Sequence, residues 1–244
     1  MIGRGPRILW SKGEGCMMFG TSLRHGRLFA AAALAVALAL PDGARADEAG
    51  DLVMADRGPW KLEQPLVWKL THAGPLVPGL PQATAGTVSL VQVTDPSDGK
   101  PVLQLEQKTD AGQRTIGPFP VSGGDPVVVF FLENVARDMA ALSGGNPFYI
   151  RNRIKDALFR GGEVEHGADR NTVVLKPFVG DANSNRMGGF ETLEIRFVTD
   201  PDPRHPLREL VAETSGSVTP AVPAARPGAA STAPAPWRTA MVLQ

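Results

Sequence analysis

Arg151, Arg153, Lys155 and Arg160 crowd into ten residues, just after Tyr149, the single tyrosine of the chain. If that stretch is helical, Arg151 and Lys155 are four apart and share a face. A paired guanidinium and ammonium can receive a phosphate, a carboxylate or an acidic partner, because ionised donors make the stronger hydrogen bonds. Arg137 lies on a neighbouring segment. The plain alternative is a solvated outer face with Asp138 and Asp156 nearby. Arg137, Tyr149, Arg151 and Lys155 are therefore the candidate ligand-binding residues.

A second cluster, Asp181-Ala182-Asn183-Ser184-Asn185 with Glu191 ten residues after Asp181, places oxygen ligands at every second position. Alternating oxygens of this kind can close on calcium, a hard cation. Asp181, Asn183, Asn185 and Glu191 are the candidate metal ligands. The departures from a calcium loop are substantial: Arg186 stands at the sharp-turn position, Thr192 stands where a bidentate acid is needed, and no flanking helices are expected. Asx-rich sequence also suits a plain turn. Glu163, Glu165, His166 and Asp169 form an acid-plus-histidine group that lacks a second His or Cys at ligand spacing, which fits a solvated connection better than a transition-metal site. His72 and His205 stand alone. No cofactor is expected, with calcium as the one exception to test.

Several chemistries lack their residues. There is no Gly-x-Ser-x-Gly elbow, since Ser143-Gly144-Gly145 has no leading glycine. There is no P-loop, no dinucleotide fingerprint and no His-Glu-x-x-His helix. Two carboxylates acting on a glycoside remain open. The expected function is a non-enzymatic accessory or binding protein. The alternative is a hydrolytic enzyme using dispersed carboxylates or a weakly held metal.

These residues need elements to hold them. Leu66, Trp68 and Leu70 alternate as in a short strand. Thr87–Val93 and Val102–Gln107 flank Asp95-Pro96-Ser97-Asp98-Gly99, which is strong turn chemistry, so they read as a hairpin. Gln113–Phe119 follows as a third strand. Val127–Phe131 is continuously apolar and reads as a buried strand or the opening of a helix. From Leu132 the apolar residues Val135, Ala136, Met139 and Leu142 form one helical stripe, with Glu133 and Arg137 paired outside. After Gly144-Gly145, Asn146-Pro147 reads as an N-cap with Pro at the first helical position. Ile150, Ile154, Ala157 and Leu158 then face inward, and Gly161-Gly162 ends that helix. Strands around Val173–Leu175 and Leu193–Phe197 complete the pattern. Strands, two helices, then strands is the order of an α+β fold: an antiparallel sheet with a two-helix hairpin packed on one face.

Val127 to Leu158, with Gly144-Gly145, Tyr149 and Arg151-Asn152-Arg153, and the later Lys176-Pro177-Phe178, resembles an uncharacterised family of small exported bacterial proteins of unknown function. The resemblance implies one domain and no particular activity.

The first segment fits export. Arg24, His25 and Arg27 precede an apolar run, Leu28–Leu40, followed by Pro41-Asp42-Gly43 and Ala44-Arg45-Ala46. This is the basic, apolar, small-residue order of a signal peptide. The run falls short of the about 20 apolar residues that span a bilayer. Cleavage is expected after Ala46, leaving a periplasmic or secreted chain with no transmembrane segment. Cys16, the only cysteine, leaves with the leader, which removes a catalytic cysteine as well. Six of the 25 basic and two of the 25 acidic residues lie in 1–46, so the remainder carries a net −4. That balance gives no general attraction for nucleic acid; the partner is expected to be an envelope protein or an anionic ligand. The expected boundaries are a signal peptide at 1–46, a proline-punctuated extension at 47–82, an α+β domain at 83–214, and a disordered Pro/Ala-rich tail at 215–244.

Overall fold

The computed structural model of the chain describes residues 48–75, 85–221 and 233–244. The leader and its cleavage point lie outside these residues, as does 222–232 of the expected tail. Among the described residues nine strands form one sheet, every neighbouring pair antiparallel. They are β1 (Leu66–Ala73), β2 (Ala85–Thr94), β3 (Pro101–Thr109), β4 (Gly112–Pro120), β5 (Glu163–His166), β6 (Asn171–Leu175), β7 (Leu193–Thr199), β8 (Glu209–Val218) and β9 (Ala235–Leu243). The spatial order is β4-β3-β2-β1-β9-β8-β7-β6-β5. Among the described residues three α-helices accompany them: α1 (Glu48–Val53), α2 (Pro126–Ser143) and α3 (Pro147–Arg160). The fold is mixed α+β.

The sheet is two meanders joined by the β1–β9 pairing, and α2 and α3 make the connection between its opposite edges, β4 and β5. Directly paired residues point to the same face, so the register identifies the core side. Leu70 pairs Met241, which pairs Leu210, which pairs Phe197, which pairs Val173. These five are all buried, and they belong to one cluster with Phe131, Val135, Met139, Ile150, Ile154 and Leu158 of the helices. Phe131 and Phe197 meet edge to face, 6.2 Å between centroids. The opposite face carries charged neighbours such as Glu213 and Arg238, paired at 3.0 Å.

Val127–Phe131 is helical. Asp125 caps α2, its Oδ1 accepting the Val127 N–H at 2.9 Å, and Pro126 takes a position where no amide donor is needed. The burial pattern decides the matter: Val127, Val128 and Phe131 are buried while Val129 is 49 % exposed, as a helix face requires. α2 stops at Gly144, which takes the left-handed φ of +69°. Asn146 caps α3 in the same way, accepting the Phe148 N–H at 2.9 Å.

Two expected boundaries are corrected. Residues 235–243 are not a disordered tail: β9 lies between β1 and β8, and its Trp237 and Met241 are fully buried. The prolines misled because Pro220 and Pro234 flank the strands, and Pro236, paired with Ser217, stands where the β8–β9 register shifts. A bulge is where a strand tolerates the missing donor. The extension expected at 47–82 is likewise not separate where it is described, because β1 (Leu66–Ala73) is a central strand; 76–82 lie outside the described residues. β8 covers residues that the sequence pattern left unassigned or gave to the tail.

Candidate functional site

The inward stripes of several strands turn polar where they approach α2. On β1, Trp68 and Leu70 are followed by His72. On β3, Leu103 and Leu105 are followed by Gln107, whose partner on β4 is Arg114. On β9, Thr239 stands between Trp237 and Met241 and pairs with His72. Asn134 and Asp138, four apart on α2, face these groups. Together they line a cavity of about 100 Å³. It adjoins an outer groove of about 470 Å³ that shares Gln107, Arg114, Asn134 and Asp138 and adds Arg137.

Arg114 is held in place from two sides. Its Nε donates to Gln107 Oε1 at 2.5 Å and its Nη2 donates to Asn134 Oδ1 at 3.2 Å. The guanidinium also lies 5.6 Å from the centroid of the Phe130 ring, close enough for a cation–π attraction. Nη1 makes no hydrogen bond among the described residues. Burial, then repulsion from Arg137, lower its pKa, with Asp138 opposing; a guanidinium nonetheless stays charged.

Two polar groups of the lining residues have no hydrogen-bond partner among the described residues, and the first of them is sealed from solvent. Trp237 is fully buried, and its Nε1–H has no hydrogen-bond acceptor among the described residues. By contrast, the buried Trp68 Nε1 donates to Leu207 O at 2.8 Å. Asp138 accepts no hydrogen bond among the described residues; His72 Nδ1 lies 3.7 Å from its Oδ2. Burial pushes the Asp138 carboxyl up to about 7, with Arg114 pulling the other way. Burial pushes the His72 imidazole down. Near neutral pH the cavity therefore combines a carboxyl raised by burial, a neutral imidazole and a fixed cation.

The expected ligand-binding residues fall in three places. Arg137 lines the outer groove beside Arg114. It does not pair with Glu133, because that carboxylate takes Arg151 instead, through Nε at 2.8 Å and Nη2 at 2.8 Å. Arg151 and Lys155 border a different, apolar groove between α2 and α3 that includes Leu132, Ile154 and Phe159. Tyr149 lines a third cavity, at the α2–α3 turn.

The expected metal ligands are also separated by their partners. Asp181 is buried and serves α3: Tyr149 Oη donates to it at 2.6–2.7 Å, and Arg153 Nε lies 2.8 Å from Oδ2. The Asn183 N–H donates to its Oδ1 at 2.8 Å, and Asn183 Nδ2 donates to Tyr149 Oη. Desolvation raises this carboxyl, but those donors outweigh it and hold the pKa below the usual carboxylate range. Glu191 accepts the Gly189 N–H at 2.9 Å, and Asn185 is exposed. In the Glu163 group, His166 Nε2 meets Glu48 Oε1 at 2.8 Å and Nδ1 meets Asn171 Oδ1 at 3.0 Å. Among the described residues no cluster of three or more His, Cys, Asp or Glu is arranged to hold a metal.

Sequence reasoning missed His72, Gln107, Arg114, Asn134, Asp138 and Trp237. The available signal was the polar residue ending each inward stripe, legible only once the strands are paired. No family model and no curated protein matches this chain.

Proposed function

We propose that this chain is an exported binding protein that takes a small anionic ligand in the cleft between α2 and the β1, β3, β4 and β9 strands. The observation that carries this reading is Arg114, fixed by Gln107 and Asn134 at the mouth of the cavity. Fixed donors facing an opening bind an acceptor with little loss of freedom. Arg137 adds a second cation at the rim. The non-enzymatic role, export with cleavage after Ala46, a periplasmic or secreted location, and a two-helix hairpin covering one face of the sheet all belong to this reading. The leader's residue order supports the export part. The shared burial of α2, α3 and strand residues in one core cluster supports the hairpin part.

Calorimetric titration of the full chain with small carboxylates and inorganic phosphate tests the cleft. At least one anion should bind, and Arg114→Gln should weaken it by about 10- to 100-fold, the worth of a charge-assisted hydrogen bond. Arg137→Gln, at the exposed rim, should weaken it less. A folded protein that binds none of these anions, or an Arg114→Gln variant that binds them as well, overturns the reading.

A further inference from the structure

The donors and acceptors of the cleft specify more than negative charge. Its groups without a hydrogen-bond partner among the described residues are the Arg114 Nη1 and the Asp138 carboxyl. A halide or another purely accepting anion satisfies the first and leaves a carboxylate facing it. A carboxylic acid satisfies both, because two carboxyl groups can share one proton while the ligand's remaining lone pairs accept from nitrogen.

We propose that the cleft binds a small carboxylic acid as a proton-sharing pair, one hydrogen-bonded proton lying between the ligand's carboxyl group and Asp138 while Arg114 donates to the ligand. This rests on the small-anion reading above and adds the ligand's chemical class and its coupling to protons. The inner cavity of about 100 Å³ limits what can sit beside Asp138 to a small group. The outer groove leaves room for a longer tail past Arg137.

Proton coupling follows from the groups around Asp138. His72 faces it from β1, Arg114 from β4, and Arg137 stands one residue before it on α2. Gln107 of β3 and Trp237 and Thr239 of β9 complete the lining and bring no titrating group. The arginines keep their charge throughout, and His72, lowered by burial, is neutral above pH 7. Asp138 is therefore the group that changes charge in that range, with its carboxyl pushed up to about 7. Below that value the free cleft already holds the proton. Above it, each ligand bound must bring one in.

The experiment is calorimetric titration of the full chain with acetate, propanoate, succinate and inorganic phosphate from pH 6 to 8.5, in buffers of different ionisation enthalpy. The expected result is affinity for at least one carboxylate that is flat from pH 6 to 6.5. It should then fall by a factor approaching ten per unit above pH 7.5, with uptake approaching one proton per ligand. Asp138→Asn should abolish the slope and the proton uptake, whereas His72→Gln should keep both. Carboxylate binding with no proton uptake, or uptake that survives in Asp138→Asn, overturns proton sharing and leaves the anion cleft standing. Phosphate binding in preference to every carboxylate overturns the ligand class in the same way. No binding by any of the four overturns the cleft itself.

Discussion

Asp138 is the residue whose environment departs furthest from what its sequence position suggests. On α2 it looked like a solvated neighbour of the basic face, yet its side chain is only 28 % exposed and has no hydrogen-bond donor among the described residues. Its carboxyl is pushed up to about 7 in the folded chain from an ordinary value of 3.8. A raised acid favours folding while it is protonated. The contribution is therefore complete below pH 3.8 and is lost as the pH climbs through about 7. The loss amounts to at most about 4 kcal/mol, as one pKa unit is worth about 1.4 kcal/mol. Asp138→Asn mimics the protonated form. Its stability should match the parent near pH 4 and exceed it at pH 8 by about 2–4 kcal/mol, measured by denaturant unfolding without ligand. Parallel pH profiles for the two proteins would show that the Asp138 carboxyl is not raised. None of this was legible in sequence, because burial of a helix position depends on which strand residues lie opposite, and His72 is 66 positions away. Tyr149 and Asp181 illustrate the converse. Both stood out by type, and the structure uses them on each other.

At the scale of elements, the local chemistry of the helices was largely legible. Asn146-Pro147 starts α3 as capping preferences require, and glycines follow both helices. The start of α2 was left open between strand and helix, although Asp125-Pro126 repeats the same cap. A continuous apolar run carries no period, and only the exposure of Val129 beside buried Val128 resolves it. What anchors that helix start could not be read at all. Arg57, buried after α1, donates to Val53 O, Leu52 O and, across the fold, His205 O, and its Nη1 lies 3.6 Å from Asp125 Oδ2. One guanidinium thus ties the end of α1 and the 201–206 loop to the cap of α2. Arg57→Leu would leave Asp125 buried without its cation and the carbonyls of Leu52, Val53, Ala55 and His205 without their donor. Removing one partner of such a pair typically costs about 3–5 kcal/mol. The denaturation midpoint should fall accordingly, and a change under about 1 kcal/mol would show that Asp125 finds its compensation elsewhere.

The whole molecule depends on its last strand in a way that composition concealed. Bulky residues return only at Trp237, after a long stretch of Ala, Pro, Ser and Thr, so the segment read as an untidy tail. Its residues nevertheless hold the two meanders together, since β9 is the sole strand bonded to both β1 and β8. Trp237 also packs edge to face with Phe190, 5.4 Å between centroids, and lines the cavity beside His72. A Cβ on Gly74 would lie 2.8 Å from its ring, so the end of β1 is shaped to admit it. Removing residues 233–244 would expose the edges of β1 and β8 and take Trp237 and Met241 from the core. An exposed central edge is a template for wrong pairing, and losing two large side chains removes on the order of 3–5 kcal/mol each. That is comparable with the whole stability of a domain, about 5–15 kcal/mol. The truncated chain should therefore show no cooperative unfolding transition. A synthetic peptide of residues 233–244 should restore one by adding the missing strand, since main-chain hydrogen bonds and alternate side-chain pockets are both waiting for it. A truncated chain that unfolds at the parent's midpoint would instead mean that each meander holds its own core, and that β9 is an addition to the fold rather than its seam.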